Sequence, residues 1–444
     1  MRRRNIFYLC IQISVLTVLA LLYGLSLYSE MPRYWETVVS SALLVLLFGA
    51  GLVRLLPALS SMLIGEPEAH LMRLGDRTFR RCGARELGKL FLLVLIVRLF
   101  EFPLTYIMRF VLSGYTGTFF EVQRLWLDFY HAETAFPLYD LLSRVFWVLT
   151  FNFNHARFIG SYVFTALAVA ALYYLVQLDF DRKTARRSVR YFLLMPFSFM
   201  LMGTVPDGLF LLFSILCLLF LRRQRFALAN LFAMLATATH ALGVLLFFPV
   251  LVSFISYLTG NARRNREMGK GYFLKQIGNG ASILLIPLGV GIVMLYARAR
   301  FGDAMWLYRS ALGTPAFGTV GLFRFTDGVL DRTLLLGEDT VAVLCGTYLP
   351  QALYLLFAAI MLVLGTGTVS AAYTLLMAVT LAVIVVTGRA ADSARIVSMT
   401  APFLITFAAR VKNRWVDALF TVLLLAGWIA WFYAFIAGFA GGIG

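Results

Sequence analysis

The chain has 444 residues, of which 61% are hydrophobic and 14% charged, and it carries a net charge of +17. Soluble domains hold about 25% charged residues, and a water-soluble fold of this length cannot hide so much apolar surface in one core. The basic residues lie in short segments between long apolar runs, which excludes a nucleic-acid surface as their explanation and fits loops obeying the positive-inside rule.

Met1-Arg2-Arg3-Arg4 precedes an apolar run to Leu27. That run is long for a signal peptide and no small-x-small cleavage site follows, so it predicts a retained first helix near 6–27. A second helix near 38–64 completes an N-terminal transmembrane hairpin over 1–64, and 65–444 reads as one membrane module. The basic segment 65–89 lies inside, partly as an amphipathic surface helix. The next helix, near 90–112, carries Arg98 and Glu101 at i,i+3, the spacing of a structural pair. An outer segment over 113–136 follows, with Glu121, Asp128, His131 and Glu133. Segment 137–155 is too broken to span and reads as re-entrant or interfacial.

A helix near 156–178 returns inside, then 191–204 and 207–221 cross around a pivot at Thr204-Val205-Pro206-Asp207-Gly208. The stretch 227–258 lies between basic loops and must cross an even number of times. Its 32 residues allow two arms of roughly 20–24 Å each, broken at Thr239-His240-Ala241-Leu242-Gly243. A helix near 280–299 leads to an outer loop over 300–338, and helices near 340–363, 369–388, 396–409 and 416–440 complete the chain. The expected fold is an all-α integral membrane protein, a polytopic bundle of about 13 transmembrane helices with short or re-entrant pieces. Parity puts the strongly basic segments inside and the polar candidates outside.

Cys10, Cys82, Cys217 and Cys345 have no zinc or redox spacing and read as packing residues. There is no Walker A loop, HExxH or GxSxG, and the sequence predicts neither a metal site nor a cofactor. Asp207 at a Pro-Asp-Gly turn is ordinary turn chemistry on one reading. His240 can satisfy a broken helix end, and Arg395 can anchor at the interface. Ionisable groups in membrane helices are functional by default, which favours the last two.

Several segments, in order from about residue 88 to 410, resemble the bacterial PIG-V-like mannosyltransferases of the GT-C superfamily. They are Phe136-Pro137-Leu138-Tyr139 after an acidic loop, Pro196 with Pro206-Asp207-Gly208-Leu209-Phe210, Thr239-His240-Ala241-Leu242-Gly243, Phe301-Gly302-Asp303 with Trp306, and Ser393-Ala394-Arg395. Asp207 stands where the family has glutamate, His240 where it has arginine, and Ile396 where it has tyrosine.

The resemblance implies a GT-C-like membrane glycosyltransferase. It would transfer a mannose-like sugar from a polyprenyl-phosphate donor to a lipid or glycan acceptor at the outer face of a bacterial cytoplasmic membrane. It implies membrane lipids as surroundings and no nucleic-acid partner. Glu121, or its competitor Asp128, would be the general base. Arg395 and His240 would meet the departing phosphate. Asp207 would bind a sugar hydroxyl or orient a cation, and Asp303 is a further substrate-binding candidate. The alternatives are a transporter or lipid flippase, for which repeat symmetry is lacking, and a catalytically degenerate member of the superfamily.

Overall fold

The structure, a computed structural model, describes residues 84–113, 136–203, 205–260, 270–307, 349–366, 368–386 and 393–436. The hairpin expected over 1–64, most of the basic segment 65–89, and the loop bearing Glu121 and Asp128 lie outside these residues. The described residues are helical, with no β-strand and an isolated bridge between Thr366 and Val369.

The helices in chain order are α1 Ala84–Ser113, α2 Pro137–Ser143, α3 Trp147–Thr150, α4 Phe153–Asp179, α5 Arg182–Leu194, α6 Asp207–Arg222, α7 Phe226–Thr239 and α8 Phe247–Gly260. They continue as α9 Lys270–Ala281, α10 Leu285–Phe301, α11 Leu349–Gly365, α12 Ala371–Val386, α13 Ser393–Met399, α14 Ala401–Arg410 and α15 Arg414–Ile436. Short 3-10 turns join α2 to α3, α7 to α8 and α9 to α10. Among the described residues, five helical stretches are long and apolar enough to cross a membrane: Arg85–Met108, Phe153–Asp179, Ala241–Leu258, Gln276–Phe301 and Arg414–Ala434.

Helix α4 is the central post. Phe151 in the left-handed region (φ 50°) ends α3, and the Asn152 side chain then accepts from the backbone N–H of Asn154 and His155 to start α4. Its 27 residues rise about 40 Å. Along it, Ala166, Ala168 and Ala170 are buried where α6, α1 and α5 pack, and Gly160 faces Ser143 and Phe146 of the preceding segment. A second tight seam joins α7 to α10. Ala229, Ala233 and Ala236 of α7 are buried, as are Gly289, Val293 and Ala297 of α10. A Cβ added at Gly289 would run into Thr237 Oγ1. Outward from these seams, Ile96 and Phe100 of α1, Leu288 and Leu295 of α10, and Leu419 and Val422 of α15 are exposed, as lipid-facing surface requires.

The structure departs from the sequence expectation at 191–204. No membrane-length helix occupies that stretch. The basic segment before it is itself helical as α5, capped by the Asp181 carboxylate accepting from Thr184 N–H at 3.1 Å. Its end at Leu194 falls just before Pro196, which cannot continue a helix, and a short 3-10 turn over Ser198–Met202 follows. Arg395, expected in an outer turn, lies in α13, and the helix expected over 396–409 is interrupted between α13 and α14 at Thr400-Ala401-Pro402.

The bundle has two chemically distinct ends. At one lie Arg182, Arg187, Arg190, Arg222 and Arg410, held by Glu86, Asp179, Asp417 and the Leu364 carbonyl. At the other end of α6 from Arg222 lies Asp207, with Arg395 bonded to it and His240 packed on Phe210 of the same helix.

Candidate functional site

The site is assembled where α6 and α13 begin and where α7 breaks. Pro206 opens α6, and Asp207 is its first residue, so its carboxylate sits at a helix N-terminus. Gly208 follows because α4 passes too close for a side chain: a Cβ there would overlap Thr165 Oγ1. The turn is tied down by Ser161 of α4, whose hydroxyl donates to the Val205 carbonyl at 3.2 Å.

Arg395 reaches Asp207 with two hydrogen bonds, Nε to Oδ2 at 2.6 Å and Nη2 to Oδ1 at 2.8 Å. The pair is asymmetric: the Asp207 side chain is 1% exposed and that of Arg395 is 31% exposed. The carboxylate therefore works as a buried counter-ion, and the guanidinium is the member that the surroundings can reach. Arg395 is placed by Gln351 of α11. The Gln351 Oε1 accepts from Ala394 N–H at 2.8 Å, and its backbone carbonyl accepts from the Ser393 hydroxyl at 2.7 Å, which fixes the first turn of α13.

His240 has extended backbone (φ −154°, ψ 145°) and ends α7. Its Nδ1 accepts from Leu242 N–H at 3.1 Å, so the imidazole closes the broken helix end, and a neutral ring then carries its proton on Nε2. The ring is stacked on Phe136 (centroids 6.4 Å, interplanar 13°) and packs on Phe210 (5.2 Å), one turn beyond Asp207. Gly243 lets the following 3-10 turn lie on α7, since a Cβ there would meet the backbone of Ala236 and Thr237.

Phe136 and Ala241 share a small apolar cluster with Val293, Ala297 and Leu307, and Phe301 and Trp306 pack against it. Phe301 and Trp306 stack at 4.2 Å around the left-handed Gly302 (φ 77°). Asp303 between them accepts from Met305 N–H at 2.9 Å, a local Asx turn. Asp303 therefore belongs to the same end of the bundle through its neighbours' packing.

The structure joins Asp207 to Arg395 directly, brings His240 to the same end through Phe210 and Phe136, and Asp303 through Phe301 and Trp306. It also adds groups that sequence reasoning passed over. Arg157 of α4 forms a two-pronged pair with Asp140 of α2, Nε to Oδ1 and Nη2 to Oδ2, both at 2.9 Å, and lies over the Phe153 ring at 4.4 Å. The Tyr139 hydroxyl, between them and the Asp207 turn, bonds to the Arg157 carbonyl at 2.9 Å and Ser161 Oγ at 2.7 Å. A polar chain thus runs from Asp140 through Arg157, Tyr139 and Ser161 to the Val205 carbonyl. An arginine inside an apolar helix is the available sequence signal, because such a residue needs an acid nearby.

Among the described residues no three His, Cys, Asp or Glu side chains gather closely enough to ligate a cation. No protein-family model matches the sequence, and no curated protein matches it significantly.

Proposed function

We propose that this protein is a multi-pass membrane glycosyltransferase of the GT-C, PIG-V-like kind, with about 13 transmembrane helices and its site at the outer face of the membrane. The observation that carries the reading is that four segments resembling that family are joined at one end of the bundle, Asp207 to Arg395 by hydrogen bonds and His240 to Phe136 and to Phe210 of the Asp207 helix by ring contacts. In this reading the Asp207 carboxylate holds the Arg395 guanidinium toward the departing polyprenyl phosphate, the role that best suits a carboxylate with both oxygens engaged. His240, held between Phe136 and Phe210, is the second group for that phosphate. Glu121 is the preferred general base for the acceptor hydroxyl, with Asp128 its competitor. The acceptor oxygen attacks the anomeric carbon as the phosphate leaves with the bond electrons, and the hydroxyl proton passes to the carboxylate.

The test is transfer of mannose from a polyprenyl-phosphate donor by the full chain reconstituted in vesicles. Glu121→Gln lowers turnover by about 10²–10⁴-fold with donor binding retained, while Asp128→Asn has a much smaller effect. Loss of transfer in Asp128→Asn with Glu121→Gln intact exchanges the two carboxylates. No transfer from any polyprenyl donor removes the reading.

A further inference from the structure

One opening among the described residues is unconnected with the Asp207–Arg395 pair. It is a groove of about 780 Å³ between α1, α5 and α15, with Tyr173 of α4 at its floor. Its walls are apolar: Leu93, Val97 and Leu104 of α1, Leu193 of α5, and Leu425 and Trp428 of α15. Leu93 and Leu425 are exposed, so the groove opens sideways from the bundle.

Its mouth is cationic. Lys89 of α1 faces Arg186 and Arg190 of α5, which are spaced i,i+4 on the exposed face of that amphipathic helix. Arg190 is paired with Asp417 at 2.5 Å, whereas Lys89 and Arg186 have no ion-pair partner among the described residues. Each acid lining the groove has a partner within the protein, Glu101 through one of its oxygens. Glu86 accepts from Tyr173 and Arg182 at the mouth, and Glu101 accepts from Arg98 deep inside at 2.9 Å. The mouth therefore has positive charge to spare.

The dimensions fit one kind of occupant. From Lys89 to Leu104 the helix rises about 22 Å, while one leaflet of hydrocarbon is about 15 Å thick, half of a typical core. A chain entering beside Lys89 can run at headgroup depth and then through its whole leaflet without leaving the groove. Basic pockets between membrane helices hold anionic headgroups in this way.

We infer that this groove is a binding site for an anionic diacyl phospholipid, its phosphate between Lys89, Arg186 and Arg190 and one acyl chain along Leu93, Val97 and Leu193. The site is independent of glycosyl transfer and lies toward the end of the bundle opposite His240.

The test uses the full chain, purified in detergent, stripped of lipid and titrated by native mass spectrometry with phosphatidylglycerol and with phosphatidylcholine of the same chains. Phosphatidylglycerol binds more tightly. Each cation near an anionic headgroup contributes roughly fivefold, so Lys89→Ala with Arg186→Ala weakens phosphatidylglycerol about 30-fold and leaves phosphatidylcholine nearly unchanged. Val97→Trp, at a partly exposed wall position, weakens both lipids by filling the groove. Equal binding of the two lipids by the unmodified chain overturns the inference. So does an effect of the charge variants with none of Val97→Trp, which would put the lipid on the surface outside the groove. A photo-crosslinking residue at position 97 captures lipid if the inference holds; capture of residues 1–64 of the same chain instead overturns it.

Discussion

Asp207 and Arg395 show what a membrane bundle does with an acid it must bury. The carboxylate is nearly inaccessible and has both oxygens on the guanidinium, so removing the arginine leaves a stranded charge. Breaking such a pair costs about 3–5 kcal/mol, and the partial exposure of Arg395 puts Arg395→Ala at the low end, about 3 kcal/mol. Asp207→Asn together with Arg395→Gln, which leaves no charge behind, should recover most of that loss in thermal unfolding of the purified protein. A double variant as unstable as Arg395→Ala would mean that the pair matters by shape and not by charge. These residues were visible in the sequence because ionisable or imidazole side chains at helix breaks stand out from apolar surroundings. The Asp140–Arg157 pair was not, because its acid lies in a segment with no clear period and its arginine 17 positions away in a helix read only for its apolar residues. Glu121 and Asp128 stay as the sequence left them, outside the described residues.

At the scale of elements, the long apolar runs were legible to within a few residues: 156–178 became α4, 207–221 became α6, and 227–258 broke at His240. Helix α5 was misread because its charges were taken as marking a loop. Arg182, Arg186 and Arg190 recur every fourth residue, and Ala185, Val189 and Phe192 are buried on the other side, which is a helical pattern. Its start depends on one cap. Partial burial pushes the Asp181 carboxyl upward, but hydrogen bonds from Thr184 and the charge of Arg187 outweigh it and hold it below its ordinary value of 3.8. A lowered folded-state value means stability that is present above 3.8 and is lost as the pH falls through the folded value. Asp181→Ala should therefore cost about 1 kcal/mol at neutral pH. The gap between variant and parent in unfolding measurements should close below pH about 4. A gap independent of pH would mean that the uncharged cap geometry does the work.

For the whole molecule, the alternation of basic and neutral connections carried the two-ended arrangement, because consecutive helices can only deliver their termini to alternate ends. If those ends face opposite sides of the membrane, cysteines at Arg186 and Met305, both exposed, should react with an impermeant thiol reagent from opposite sides of sealed vesicles. Labelling of both from one side would contradict the arrangement. What sequence could not give was which helices touch, since side-chain fit sets that and not hydropathy. Helix α15 is the clearest case. Its Asp417 receives Arg187, Arg190 and Tyr191 of α5, and Trp428, Trp431 and Phe432 pack on Phe197 and Phe199, while much of the remaining surface faces outward. Every partner it grips among the described residues precedes it in chain order. It stands to the rest of the bundle as a subunit stands to its partner, joined by a short tether and recognised through an ionic latch and an aromatic seat.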